Sequence, residues 1–223
     1  MKWIGALTLG ICSPGFAQNF ANPSSITDYD PREVAMLPRY CIYTQLFREH
    51  VPGGNDIQQI QAWRSFMGPE FEAMHHYCFG LMKTNRATLH AQNKDQRQFY
   101  LTDAIIEYDF VLQRVPNDFI VLPEILTKKG ENLMRLGKEP LALIEYNRAI
   151  EAKPDYWTAY GDLSDLYKQQ GNITEARKVL ERGLSFSPDA PGLKRRMAEL
   201  ATGNDDKKGP RHSSPPASSS VQR

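Results

Sequence analysis

The chain has 223 residues, 41% of them hydrophobic and 24% charged. That composition suits one globular domain with an appendage and excludes a wholly disordered chain. Its 27 Lys and Arg stand against 26 Asp and Glu, a net charge of +1, so no basic surplus argues for nucleic acid as a partner.

The first element is a targeting segment. Lys2 precedes the apolar run Trp3 to Cys12, and Pro14-Gly15-Phe16-Ala17 offers small residues for cleavage before Gln18, so residues 1–17 read as a signal peptide. The run falls short of the roughly 20 residues a membrane span needs. Ile11 stands before Cys12 where a lipoprotein box requires a small residue, which argues against lipidation. Cleavage would remove Lys2 and no acid, leaving an exported, neutral chain. Cys41 and Cys78 then remain as an even pair in an oxidising compartment. A disulfide between them is expected on that ground, with two buried free thiols as the alternative.

Residues 18–68 form an N-terminal extension and helical cap without repeat register. Pro31 to His50 is predicted helical, interrupted near Pro38. Val51-Pro52-Gly53-Gly54 breaks the chain, and Asn55 is the predicted N-cap of a helix running to Met67. Trp63, Phe66 and Met67 are expected in the core. Tyr40, Tyr43, Phe47, Phe71, Tyr77 and Phe79 crowd the same third, which raises a homodimer through this region as an alternative.

His75-His76-Tyr77-Cys78 is the most chemical-looking stretch. His75 and Cys78, three apart on a helix, could share a metal or small-molecule site. No third ligand accompanies them in the sequence, and a bridged Cys78 has no free sulfur. Satisfied helix-face histidines beside a core cysteine are the expectation, with no metal and no cofactor.

From residue 85 to residue 190 the sequence repeats itself. Trp157–Ala190 lies in register with Pro123–Tyr156, 34 residues each without a gap. Gly171 falls under Gly137, Ala176 under Ala142, Leu180 under Tyr146, Gly183 under Ala149 and Pro188 under Pro154. Asn85–Asp118 matches only in its second half, through Ala104, Tyr108, Val111 and Pro116. This period with these residues resembles the tetratricopeptide repeat, a helix–turn–helix unit. The resemblance implies an all-α helix-pair solenoid, with small residues where helices approach and large ones filling the seam. Gly137 and Gly171 should end first helices, and Pro154 and Pro188 should follow second ones. Lys129 departs from the family, which has an aliphatic residue there.

The predicted organisation is an atypical helix pair at 69–122, two repeats at 123–190, a capping helix at 191–202 and a disordered tail at 203–223. The first helix of the atypical pair is placed at Glu70–Ala87, with the polar stretch Thr88–Gln96 as a long inter-helix loop. The Pro191–Ala201 helix carries Leu193, Met197 and Leu200 on one face.

The sequence contains no glycine-rich phosphate loop, Gly-x-Ser-x-Gly elbow or His-Glu-x-x-His helix, so no catalysis is expected. In the resembling family the first helices line a groove. Carried over residue by residue, its lining is Glu124, Thr127, Lys128, Glu131, Met134 and Arg135, then Thr158, Gly161, Asp162, Asp165, Lys168 and Gln169, with Tyr77 and Leu81 from the displaced helix. Asp162 and Asp165 are expected to face Lys128 and Arg135, a mixed-charge surface for an extended peptide or a partner helix. The resemblance to exported bacterial members implies a periplasmic adaptor. Its partner would belong to a cell-envelope assembly: pilus, polysaccharide secretion, cytochrome maturation or outer-membrane machinery.

Overall fold

The computed structural model describes residues 30–202, so the predicted signal peptide and tail lie outside the described residues. All regular structure among the described residues is helical. Four long pairings build the array: α4 (Met74–Leu89) with α5 (Lys94–Leu112), α6 (Leu122–Arg135) with α7 (Glu139–Ala152), α8 (Trp157–Gln169) with α9 (Ile173–Phe186), and α10 (Pro191–Ala201) on both α8 and α9. One hydrophobic core runs through it from Leu37 to Leu200.

The repeat signals act as their chemistry requires. Gly137 has φ +71° and Gly171 has φ +76°, left-handed values that a side chain would strain. At each, the glycine N–H reaches back to the second-last helical carbonyl and the next N–H to the third-last. Gly137 N–H bonds Met134 O and Lys138 N–H bonds Leu133 O, while Gly171 and Asn172 do the same to Lys168 and Tyr167. Both first helices thus end in the same hydrogen-bonded motif. Ala142, Ala149 and Ala176 are fully buried, and Tyr146 lies against Gly130, where an added Cβ would stand 2.5 Å from the ring. Tyr108 lies against Gly80 in the same way. Lys129 keeps its charge in the seam by pairing with Asp109 of α5 and Glu145 of α7, both at 2.7 Å. Those two carboxylates answer for the missing aliphatic residue.

The N-terminal region is less regular than predicted. The expected helix over 31–50 is three separate turns: α1 (Pro31–Ala35), a 3-10 turn (Arg39–Tyr43) and α2 (Phe47–His50). Leu46, at φ +71°, turns the chain into α2. The N-cap of α3 (Ile57–Met67) is Asp56 rather than Asn55, its carboxylate accepting from the Gln58 and Gln59 amides. Phe66 is 59% exposed and is not core, whereas Met67 is buried and Trp63 packs at the core's edge. A second 3-10 turn (Pro69–Ala73) leads into α4. These pieces are fastened to α4 by a disulfide between Cys41 and Cys78, with Cα atoms 5.7 Å apart. A two-pronged ion pair joins Glu33 of α1 to Arg86 at 2.6 Å per bond.

The predicted long loop at Thr88–Gln96 is absent. Helix α4 continues to Leu89 and α5 starts at Lys94, capped by the Asn93 side chain on the Gln96 amide. Polar composition reads as loop, but here it is the solvent-facing end of two long helices.

Candidate interaction groove

First helices of successive pairs touch one another, α6 with α8 and α8 with α10, while α5, α7 and α9 pack chiefly on their own partners and on the next first helix. The first-helix row is thus a continuous side of the array through α6, α8 and α10. Positions spaced three and four apart on α6 and α8 therefore share that side.

On α6, Lys128 bonds Glu131 at 2.7 Å, and both stay partly exposed. Glu124 accepts a 2.7 Å hydrogen bond from the Tyr77 hydroxyl of α4. Tyr77 itself is fully buried, as is Thr127, whose hydroxyl donates to the Pro123 carbonyl. These two form the floor and offer no surface to a ligand. Leu81 and Met134 are half-buried against the core. On α8, Thr158, Asp162, Asp165 and Lys168 are half-buried and Gln169 is exposed.

The cation facing the α8 acids comes from α10. Arg196 lies 2.8 Å from Asp165 Oδ2 and 3.5 Å from Asp162 Oδ1. Gly161 makes room for it: a Cβ there would stand 2.9 Å from the guanidinium. Arg135 points elsewhere, donating to Thr88 Oγ1 at 2.9 Å. The expected pairing of Asp162 and Asp165 with Lys128 and Arg135 is thus replaced by Arg196. Arg196 was legible: continuing the 34-residue period places it in the same repeat position as Asp162.

Electrostatically the groove centre leans acidic, with Glu124, Glu131, Asp162 and Asp165 set against Lys128 and Arg196. Burial, then the neighbouring Glu131 charge, pushes the Asp162 carboxyl up to about 7, and Arg196 only partly opposes them. Its Oδ2 is buried without a hydrogen-bond partner among the described residues. Burial likewise pushes the hydroxyls of Tyr77 and Tyr156 well up, with Glu124 adding to both.

The His75 region is structural in its contacts. Cys78 Sγ is consumed by the disulfide, and His75 Nδ1 bonds the Glu72 carbonyl at 2.8 Å. His76 stacks on Phe110, 3.6 Å between ring centres, and its Nδ1 meets Glu107 at 2.6 Å. Among the described residues no three His, Cys, Asp or Glu side chains converge as a metal site.

A row of helix pairs, with polar first-helix faces along one side, defines a helical-repeat solenoid. Comparison with known proteins makes this specific: the model of the tetratricopeptide repeat family matches residues 134–200. Over this segment the chain is similar to tetratricopeptide repeats. Two curated relatives are named protein O-mannosyl-transferase TMTC1. The Homo sapiens protein is 28% identical over 121 residues, and the Mus musculus protein 32% identical over 89. These matches take in 54% and 40% of this chain but only 13% and 9% of those much longer relatives. Among solved structures, the first repeat domain of Spaghetti (RPAP3) bound to an HSP90 peptide is 20% identical. It aligns over 57% of this chain and 97% of its own, with a TM-score of 0.42. The Sgt2 repeat domain of Aspergillus fumigatus is 15% identical over 62% of this chain and 90% of its own, also with a TM-score of 0.42.

Proposed function

We propose that this protein is a non-catalytic adaptor that holds a peptide segment or helix of a partner in the groove of α6, α8 and α10. The observation that carries the reading is the row of half-exposed polar side chains on successive first helices, anchored from below by structural bonds. Lys128, Glu131, Asp165 and Arg196 are held in place by one another, so their geometry is set before a partner arrives, which lowers the entropy cost of binding. The mannosyl transfer in the mammalian relatives' names belongs to those proteins.

We further propose that the chain is exported to the periplasm and serves a cell-envelope assembly. The Cys41–Cys78 disulfide supports an oxidising compartment. No helix among the described residues is long and apolar enough to cross a membrane. The test is photo-crosslinking in the native cell with the probe at Lys128 or Asp165, against a control at Lys178 on the exposed face of α9. Discrete adducts at the two groove positions and none at the control are expected, and mass spectrometry would name the partner. Equal labelling at all three positions would defeat the groove reading. A second reading is a homodimer through the N-terminal third, where Phe66 stands exposed. Sedimentation of a monomer at tens of micromolar would exclude it.

A further inference from the structure

Beyond the groove's acidic centre, where the end of α4 meets the start of α5 and the end of α6, lies a crevice of opposite charge. Two adjoining cavities of about 390 and 210 Å³ share Arg97, Leu101 and Arg135 as walls. The floor is apolar: Leu101 and Ala87 are almost wholly buried and belong to a small hydrophobic cluster of their own. The rim is cationic, with Lys94, Arg97 and Arg135 lining the two cavities. Thr88 holds the Arg135 guanidinium across the opening by one hydrogen bond of 2.9 Å. A guanidinium carries five N–H donors, so most remain for a ligand.

The charge state of this rim is unlike that of the cations buried between the helices. Lys83, Arg86, Lys129 and Arg196 each sit within 3 Å of a carboxylate. No described carboxylate lies within ion-pairing distance of Lys94, Arg97 or Arg135. Three like charges gathered over an apolar floor repel one another and gain from an anion that brings apolar surface with it.

We propose that this crevice takes an anionic side chain and an adjacent apolar one from the same partner segment that occupies the groove. The peptide occupant rests on the groove reading, because Arg135 belongs to both the first-helix row and the crevice rim. The groove thereby has a polarity: acidic at its centre, cationic at its α4 and α5 end. A partner with basic residues in its middle and an acidic, apolar-flanked end fits it in one direction only. The anion's source is either a carboxylate or a phosphorylated side chain, and both meet the same donors.

The test is amide chemical-shift mapping on the full labelled chain. Three blocked tetrapeptides serve as probes: Asp-Leu-Glu-Leu, its phosphoserine counterpart with both acids replaced, and Lys-Leu-Lys-Leu. Saturable shifts at Arg97, Leu101 and Arg135 are expected with one or both anionic peptides, and whichever binds tighter identifies the source. The shifts should weaken as salt rises. Charge reversal at exposed positions, Lys94→Glu or Arg97→Glu, should weaken binding about tenfold without disturbing the remaining spectrum. Equal shifts with the basic peptide, or none with either anionic peptide, would overturn the proposal. So would shifts with phosphatidylglycerol vesicles alone, which would make the occupant a membrane. A silent crevice beside groove adducts at Lys128 and Asp165 sinks this inference alone. Silence at both sites sinks the adaptor reading with it.

Discussion

Residues 31–73 and residues 122–190 cover their cores by different means. In the two repeats, α6 with α7 and α8 with α9 close their seams with the same residue types at the same spacing. Ala142 and Ala176, Tyr146 and Leu180, and left-handed Gly137 and Gly171 recur in register. Each unit is bounded by short local hydrogen bonds and leans on its neighbours. The N-terminal region has no such period. Its helices are four, five and eleven residues long, all below the length at which an isolated helix holds itself together. Beyond the burial of Leu37, Tyr40 and Phe47 in the shared core, they are fixed to the array by one covalent bond, Cys41–Cys78, and one buried ion pair, Glu33–Arg86. The contrast teaches that regular packing and cross-linking are interchangeable solutions to the same shortage of buried surface.

The largest expected effect strikes the irregular region. Replacing both Cys41 and Cys78 by Ser opens a 37-residue loop, a cost of about 3–4 kcal/mol on the chain-entropy model. Denaturant unfolding of the oxidised chain and the double variant measures it. Hydrogen exchange should then show residues 31–60 losing protection while α6 to α9 keep theirs. A uniform loss across both regions would mean that the cap and the array form one cooperative unit, contrary to the comparison.

The repeats should be most sensitive to volume in their seams. Gly130→Ala places a methyl group 2.5 Å from the Tyr146 ring, which is nearly fully buried and has no room to retreat. A loss of about 1–3 kcal/mol is expected in equilibrium unfolding. The same substitution at Gly53, whose surroundings are open, leaves only the strain of its positive φ, about 1 kcal/mol. Equal losses at the two positions would show that seam packing does not distinguish the regions.

How much of this was legible in the sequence follows the same division. The repeats announced themselves because each constraint recurs, so a glycine stop or a buried alanine is seen twice at one spacing. Lys129 looked like a defect, since its partners Asp109 and Glu145 come from two other helices and no spacing links them. In the N-terminal region single signals had to stand alone, and they misled. Phe66 was expected in the core because it is aromatic, but on α3 it faces outward and stays exposed. Thr88–Gln96 was read as loop for its polarity, although the Asn93 side chain caps α5 on the Gln96 amide and the Gln96 side chain accepts from the Gln92 backbone N–H. At the groove, the first-helix positions could be counted along α6 and α8. The opposing cation could be counted too, since Arg196 stands one period after Asp162, but setting its helix apart as a cap hid it.

The smallest effect concerns the groove itself, where the array gives up stability for an accessible polar surface. Asp162 is held near pH 7 in its protonation by burial and by Glu131, with Asp165 adding to both and Arg196 and Lys128 opposing. A carboxyl whose folded pKa lies above its unfolded value binds more protons in the folded state. Through this group, stability therefore rises as pH falls from about 7 towards the ordinary carboxylate range and is lost as pH rises through it. For one proton and a folded value of about 7, the gain between about pH 7 and pH 6 is roughly 1 kcal/mol. Asp162→Asn removes that group, so the difference between the parent and variant stability curves should carry this slope, whatever the histidines do in the same window. The variant should also be the more stable of the two at about pH 8, because it no longer places an ionised carboxylate beside Glu131 and Asp165. If the two curves run parallel from about pH 6 to pH 8, then Arg196 neutralises Asp162 fully. Asp162 would then be spent in an ion pair, leaving Glu124 and Glu131 as the acids that could receive a partner's basic residues.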